Sequence, residues 1–155
     1  MTAEYKDIPE DLADFVDMFA AMTDRQERID ALIDIGTAFR EVPPEVATRP
    51  FPELRRVPNC ESEAFVFSQP QPDGTLKYYF AVENPQGISA KATAVILDKT
   101  LSGAPLEQIL NVPGDVIYDI FGRELSMGKN MGLTGMLNFC KAAAAQQLEA
   151  QENSK

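Results

Sequence analysis

The sequence predicts an α+β fold in which a small antiparallel β-sheet packs against several helices. Apolar residues repeat at helical spacing near both ends of the chain. Between them, the residues from Leu76 to Val82 alternate between apolar and more polar types, as in a strand with one buried face. An Asp73-Gly74 pair just before this run is typical of a hairpin turn. At 155 residues, of which 45% are apolar, the chain is expected to form one domain over residues 1–155.

Two short helices joined by a tight turn are predicted first. The first helix carries an apolar stripe at helical spacing: Leu12, Phe15, Val16 and Phe19. Thr23 and Gln26 resemble a capping box that begins the second helix, and Gly36 marks its end. Three apolar residues of the second helix are expected to face the core: Ile29, Leu32 and Ile33.

Cys60 lies where a proline-rich segment ends and a run of strand-forming residues begins at Ala64. Pro58 restricts Val57 to an extended conformation, and Asn59 tolerates a left-handed turn. A thiol on a turn beside a strand is both accessible and held in place. Cys60 is therefore a candidate reactive residue, although a free cysteine can also be a small buried hydrophobe.

Four helices are predicted after the hairpin, with these approximate bounds: Ile88 to Gly103, Leu106 to Leu110, Asp115 to Phe121, and from Asn130 onwards. The last one carries a long apolar stripe: Leu133, Met136, Leu137, Cys140, Ala144 and Leu148. Cys140 lies within this stripe and is predicted to be a core residue. The polar tail from Gln151 is expected to fray.

The composition excludes several classes of function. The chain has no histidine, which removes Ser-His-Asp chemistry, Cys-His dyads and zinc sites that need imidazole. Its two cysteines, far apart in the sequence, suggest neither a disulfide framework nor a metal site. A net charge of −10 argues against nucleic acid as a ligand and favours a partner with a basic surface.

The beginning of the chain, residues 1–7, lacks the apolar core of a signal peptide. No apolar run approaches the length of a membrane span. We therefore expect a cytoplasmic protein that has no membrane partner.

The residues from Val57 to Phe65, Val-Pro-Asn-Cys-Glu-Ser-Glu-Ala-Phe, resemble the Val-x-Gly-Cys-x-Ser-x-Val-Trp motif of the SufE family of cysteine desulfuration proteins. The segment from Leu125 to Leu133 is similar to that family's Leu-Ser/Thr-x-x-Arg-x-x-Gly-Leu segment before its last helix. The segments Asp24–Arg28 and Leu32–Gly36 also resemble its Glu-x-Arg and Leu-Ile-x-Leu-Gly patterns. The likeness runs in order from about Pro9 to Ala145.

This resemblance implies the compact α+β fold that SufE shares with the IscU-like scaffold proteins of iron–sulfur assembly. It implies that Cys60 takes persulfide sulfur from a pyridoxal-phosphate (PLP)-dependent cysteine desulfurase, stimulates that enzyme, and passes the sulfur to an iron–sulfur scaffold. Such a carrier needs no metal and no bound cofactor of its own. The resemblance also indicates residues that support the cysteine loop or contact the partner: Asn59, Glu61, Ser62, Lys129, Asn130 and Gly132.

Some of these positions depart from the family pattern. Asn59 replaces a glycine, and Lys129 replaces an arginine, which keeps the charge but loses the planar bidentate geometry. Glu61 and Glu63 place negative charge beside the thiol, which disfavours a thiolate. The main alternative is thus a docking or regulatory module that binds a desulfurase without carrying sulfur. An independent thiol enzyme is a third possibility, disfavoured because no general base is found near the motif.

Overall fold

The computed structural model of the protein describes residues 5–154. Its elements, in chain order, are α1 (Glu10–Ala20), α2 (Arg25–Thr37), a 3-10 turn (Glu53–Arg55), β1 (Ala64–Pro70), β2 (Leu76–Val82), α3 (Ile88–Leu101), α4 (Leu106–Leu110), α5 (Val116–Phe121) and α6 (Met127–Asn153). The two strands pair antiparallel, from Ala64 opposite Val82 to Pro70 opposite Leu76. The predicted α+β class, with a small antiparallel sheet against helices, is confirmed.

Helix α3 is the centre of the main core. Nine of its fourteen residues are buried, and it contacts α1, α2, α6 and strand β2. One face of the hairpin packs on this core, with Tyr78 completely buried and its hydroxyl donating to the carbonyl oxygen of Cys140 at 2.7 Å. Cys140 itself has no exposed surface, so the prediction that it is a core residue is confirmed.

The hairpin is also covered on its second face, which the alternating pattern did not predict. The proline-rich segment folds back over the sheet and places Phe51 against Phe65 and Phe67, with ring centroids 5.2 and 5.5 Å apart. Together with Val42 and Ala81 these rings form a second, smaller core. The chain that leads to Cys60 is therefore anchored to the rest of the protein at Val42, Phe51 and Val57, whereas most of its other residues are exposed.

Helix α2 differs from its prediction in two ways. Asp24, not Thr23, caps the helix, since its carboxylate accepts from the backbone N–H of Gln26 at 3.0 Å. Leu32 is buried, but Ile29 and Ile33 are 36% and 44% exposed. The expectation that all three apolar residues face the core is wrong, because α2 turns Leu32 and Gly36 inward, with Gly36 against α3, and its two isoleucines lie on another face.

Helix α6 is longer at both ends than predicted. It begins at Met127 rather than near Asn130, with the Ser126 hydroxyl accepting from the third backbone N–H of the helix. The predicted fraying from Gln151 is wrong for the described residues, since the helix continues to Asn153 and the Gln151 amide donates to the Gly74 carbonyl at 2.8 Å. Among the helices of residues 5–154, none is both long enough and apolar enough to cross a membrane.

Candidate functional site

Cys60 lies in a short loop whose two ends are fixed in the core. Val57 before the loop is 1% exposed, and Ala64 after it is completely buried. The backbone N–H of Val57 donates to the Ala64 carbonyl at 2.9 Å, which closes the base of the loop. Cys60 itself is half-buried and makes no disulfide. The thiol is thus placed at the surface by a loop with rigid anchors.

The loop turns by using left-handed backbone at two residues that are not glycine. Asn59 has φ of 60° and Glu63 has φ of 52°. Asparagine tolerates this region better than most residues, whereas glutamate does not. The Glu63 N–H donates to the Cys60 carbonyl at 3.0 Å, so Cys60 begins a closed turn. The predicted left-handed turn at Asn59 is confirmed.

The residues that follow β2 hold the far side of this loop. The backbone N–H groups of Glu83 and Asn84 donate to the carbonyls of Glu63 and Ser62, at 3.2 and 3.1 Å. Gly87 then packs directly on Ser62, since a Cβ built there would lie 2.9 Å from the serine hydroxyl oxygen. The loop therefore rests on the connection between β2 and α3.

Glycines of α6 allow the cysteine loop to lie directly on that helix. A Cβ built at Gly132 would be 3.1 Å from the Cα of Cys60 and 3.3 Å from its Sγ. A Cβ at Gly135 would be only 2.6 Å from a methyl carbon of Val57. Gly128, one turn earlier, faces open space. Gly132 and Gly135 thus set how closely the thiol approaches α6.

A cavity of about 180 Å³ opens beside the thiol. Of the residues predicted for the site, five line it: Cys60, Glu61, Ser62, Lys129 and Gly132. The other lining residues come from the connection between β2 and α3 and from the first turns of α3 and α6, namely Asn84, Gln86, Gly87, Ile88, Ser89, Gly128 and Leu133. A cavity of this volume has room for a few water molecules or one small side chain.

Two predicted residues do not line this cavity. Asn59 lies before the thiol and shapes the loop through its backbone conformation. The side chain of Asn130 is directed elsewhere, and its Nδ2 is buried without a hydrogen-bond partner among the described residues. One turn later on the same helix, the hydroxyl of Thr134 is buried without a partner in the same way. Asn130 thus has no direct contact with the cavity beside the thiol.

Both positive and negative charges surround the cavity. Helices α3 and α6 both begin at its edge, and the amino-terminal end of a helix carries partial positive charge. Lys129 is exposed and, within residues 5–154, makes no ion pair. Glu63 is 3.6 Å from the guanidinium of Arg56, which offsets one of the two nearby carboxylates. Glu61 remains as the opposing charge.

Cys140 offers no comparable chemistry. Burial raises the pKa of the Cys140 thiol far above its ordinary value, and the charge of Asp98 adds to that effect. No group of three or more cysteine, aspartate or glutamate side chains in residues 5–154 is placed to hold a metal ion. Of the two thiols, Cys60 is the one with access to a reaction partner.

Sequence reasoning missed Gly87 and Gly135 as residues that shape the site. A glycine inside a helix costs stability relative to alanine, so Gly135 within the final apolar stripe signals a close approach of some other backbone or side chain. Gly87 had no such signal, because it follows Asn84-Pro85-Gln86 and is typical of any turn.

The chain matches the family model described as "SufE: Fe-S metabolism associated domain" over residues 13–144, which is most of its length. The chain belongs to the SufE family. Its membership confirms the resemblance carried by the cysteine segment and by the segment from Leu125 to Leu133, and it places the protein in iron–sulfur metabolism.

A solved structure shares the overall fold of this chain. The solution structure of a hypothetical protein from Thermus thermophilus superposes with a TM-score of 0.73 at 23% sequence identity. The match covers 92% of this chain and 98% of that one. At this identity the similarity concerns the fold alone. No curated protein is significantly similar to the chain in sequence.

Proposed function

We propose that this SufE-family protein is a sulfur carrier that receives a sulfane sulfur on Cys60 from a PLP-dependent cysteine desulfurase. It stimulates that enzyme by removing its product, and it delivers the sulfur to a scaffold on which iron–sulfur clusters are built. The carrier itself needs neither a metal nor a bound cofactor, and it works in the cytoplasm. Family membership supports the metabolic context, and the geometry around Cys60 supports the chemistry.

The transfer is a thiol–disulfide type exchange. The Cys60 thiolate attacks the terminal sulfur of the cysteine persulfide on the donor, and a new S–S bond forms on Cys60. The S–S bond of the donor breaks at the same time, and the donor cysteine leaves as a thiolate. A proton released from the Cys60 thiol balances the proton that the donor thiolate takes up. No external oxidant or reductant is needed.

The observation that carries the proposal is the contrast in access between the two thiols. Cys60 lines an open cavity at the start of two helices, whereas Cys140 has no exposed surface. The partial positive charge of the helix ends and the ammonium group of Lys129 favour the anionic terminal sulfur of a persulfide in this cavity. Among the residues that line the cavity, Glu61 and Lys129 are the side chains that could act as a general base in another reaction.

Intact mass spectrometry tests the proposal directly. The protein is mixed with a PLP-dependent cysteine desulfurase and free cysteine, and the expected product carries added sulfur on Cys60, located by peptide mapping. Cys60→Ser is expected to remain unmodified, whereas Cys140→Ser is expected to be modified like the wild type. Wild-type protein that stimulates the desulfurase but never carries sulfur would instead indicate a docking module.

A further inference from the structure

A second groove adjoins the thiol cavity and is not explained by sulfur chemistry. It has a volume of about 400 Å³ and runs between α2, the end of α5 and the beginnings of α3 and α6. Three of its lining residues, Ile88, Ser89 and Lys129, also line the cavity beside Cys60. A molecule that occupies the groove therefore lies directly beside the entrance to the thiol.

The floor of this groove is apolar to an extent unusual for the surface of this chain. Seven large apolar side chains are exposed within residues 5–154, and three of them line this groove: Ile29, Ile33 and Ile88. Leu32, Phe121 and Leu125 complete the apolar lining. Ile29 and Ile33 are one helical turn apart on α2 and face the groove instead of the core. Exposed apolar surface clustered in this way marks an interaction site.

The charge of the groove is opposite to that of the molecule. Its lining contains Arg25, Arg28 and Lys129 but only one acidic residue, Glu124, in a chain with a net charge of −10. The Arg28 guanidinium is fixed by donating to carbonyls at the ends of α1 and α5, at 2.9–3.2 Å. Arg25 is 3.6 Å from Glu124, so Arg28 and Lys129 are the cations that no acid of the lining neutralises.

We infer that this groove binds a segment of the sulfur donor that is apolar and also carries acidic residues. This inference rests on the proposed function. The apolar floor supplies contact area, and the excess of positive charge selects acidic side chains. The overall acidity of this chain still favours basic surface elsewhere on the donor. A second copy of this chain pairing about a two-fold axis would bring Arg25 and Lys129 towards the same groove of its partner, where like charges repel.

The test compares two exposed apolar residues on different helices. Ile33, in the groove, and Met18, on α1 and outside its lining, are 44% and 43% exposed, so Ile33→Asp and Met18→Asp should both fold. Binding is measured to the desulfurase that sulfurates the wild type, with its persulfide-forming cysteine replaced by serine. Ile33→Asp should raise Kd about tenfold or more. Met18→Asp should bind like the wild type, and both variants should accept sulfur from inorganic polysulfide.

The sign of the charge preference is tested with Glu124→Gln, which removes the acidic residue of the lining. The variant should bind the same desulfurase more tightly, because an acidic segment no longer meets a like charge. Unchanged or weaker binding would overturn the acidic partner segment. Equal effects of Ile33→Asp and Met18→Asp on desulfurase binding would overturn the groove as the docking site. A wild-type dimer that Ile33→Asp dissociates while desulfurase binding stays intact would overturn it as well. Failure of every desulfurase to sulfurate the wild type would instead reject the proposed function on which this inference rests.

Discussion

Both cysteines are close to helix α6, but their environments are opposite. Cys60 is packed from outside against Gly132, and Cys140 lies eight residues later within α6, about 12 Å along the helix axis. The first thiol is half-buried on a loop beside a cavity; the second is enclosed by core side chains. Their chemical difference therefore comes from where each thiol lies, on a surface loop or inside the core, since the residue type is the same.

Replacing Cys60 gives the largest expected effect. Cys60→Ser should abolish both sulfur acceptance and stimulation of the desulfurase, because a hydroxyl cannot form a persulfide. The circular dichroism spectrum and the unfolding midpoint should stay close to those of the wild type, since this side chain is only half-buried. Full stimulation by the serine variant would reject Cys60 as the acceptor.

The approach of the loop to α6 is tested by two glycines one turn apart. Gly132→Ala should lower the rate of sulfur acceptance and should leave the fold less stable than Gly128→Ala does, because its Cβ would lie 3.1 Å from the Cα of Cys60 and the loop must shift. Gly128→Ala is the matched control: its Cβ meets open space, and alanine is favoured in a helix by up to about 1 kcal/mol.

Stopped-flow single-turnover assays and urea unfolding distinguish these outcomes. If Gly132→Ala accepted sulfur at the wild-type rate with unchanged stability, the close contact between Gly132 and Cys60 would not be needed for sulfur transfer. If Gly128→Ala were as damaging, the α6 terminus itself rather than the contact would be responsible.

Replacing Cys140 should affect stability and leave the chemistry intact. Cys140→Ser puts a hydroxyl at a fully buried position, and an imperfectly bonded polar group there costs on the order of 1–3 kcal/mol. Urea unfolding measures this loss, and mass spectrometry should find sulfur on Cys60 as before. An unchanged unfolding midpoint together with lost sulfur transfer would reverse the roles assigned to the two thiols.

High pH should destabilise the protein through the buried thiol. Burial raises the pKa of Cys140 in the folded state, so above its ordinary value of 9.0 the unfolded chain loses this proton while the folded chain keeps it. The unfolded state then binds fewer protons, and stability falls as pH rises, by up to about 1.4 kcal/mol per pH unit. Burial of Tyr78 raises its pKa too and adds to the loss above about pH 10.

Urea unfolding at pH 8, 9 and 10 gives the slope. In Cys140→Ala the part of the decline between pH 9 and 10 should be smaller than in the wild type. Equal slopes in the two proteins would mean that the buried thiol does not titrate on unfolding.

Patterns local in sequence predicted most of the fold. The hairpin was predicted from the alternation of apolar and more polar residues and from Asp73-Gly74, and the final helix from its apolar stripe. Each of these patterns depends only on residues that are close together in the sequence. The double covering of the hairpin could not be predicted in this way. It depends on Phe51 meeting Phe65 and Phe67, and on Arg49 pairing with Glu83, 34 positions away. Contacts of this kind leave no periodicity in the sequence.

The candidate site was predicted where a motif identified it and missed where packing created it. Cys60, Ser62 and Gly132 come together as their segments indicated. Ile29 and Ile33 have the helical spacing of core residues, and spacing alone does not reveal that no element of residues 5–154 covers them fully. The groove beside the thiol therefore became visible only once the helices were assembled.

The anchored ends of the cysteine loop set an upper limit on how far sulfur can be carried by loop motion. Val57 and Ala64 are held in the core, and only three residue steps separate Val57 from Cys60. A fully extended chain covers at most about 3.6 Å per residue, so the Cα of Cys60 stays within roughly 11 Å of Val57 in any open loop conformation. If the donor sulfur lies deeper in its own protein than Cys60 can reach, the donor cysteine must itself move towards the surface. The length of the chain between Val57 and Cys60 therefore fixes how much of the distance each protein has to cover.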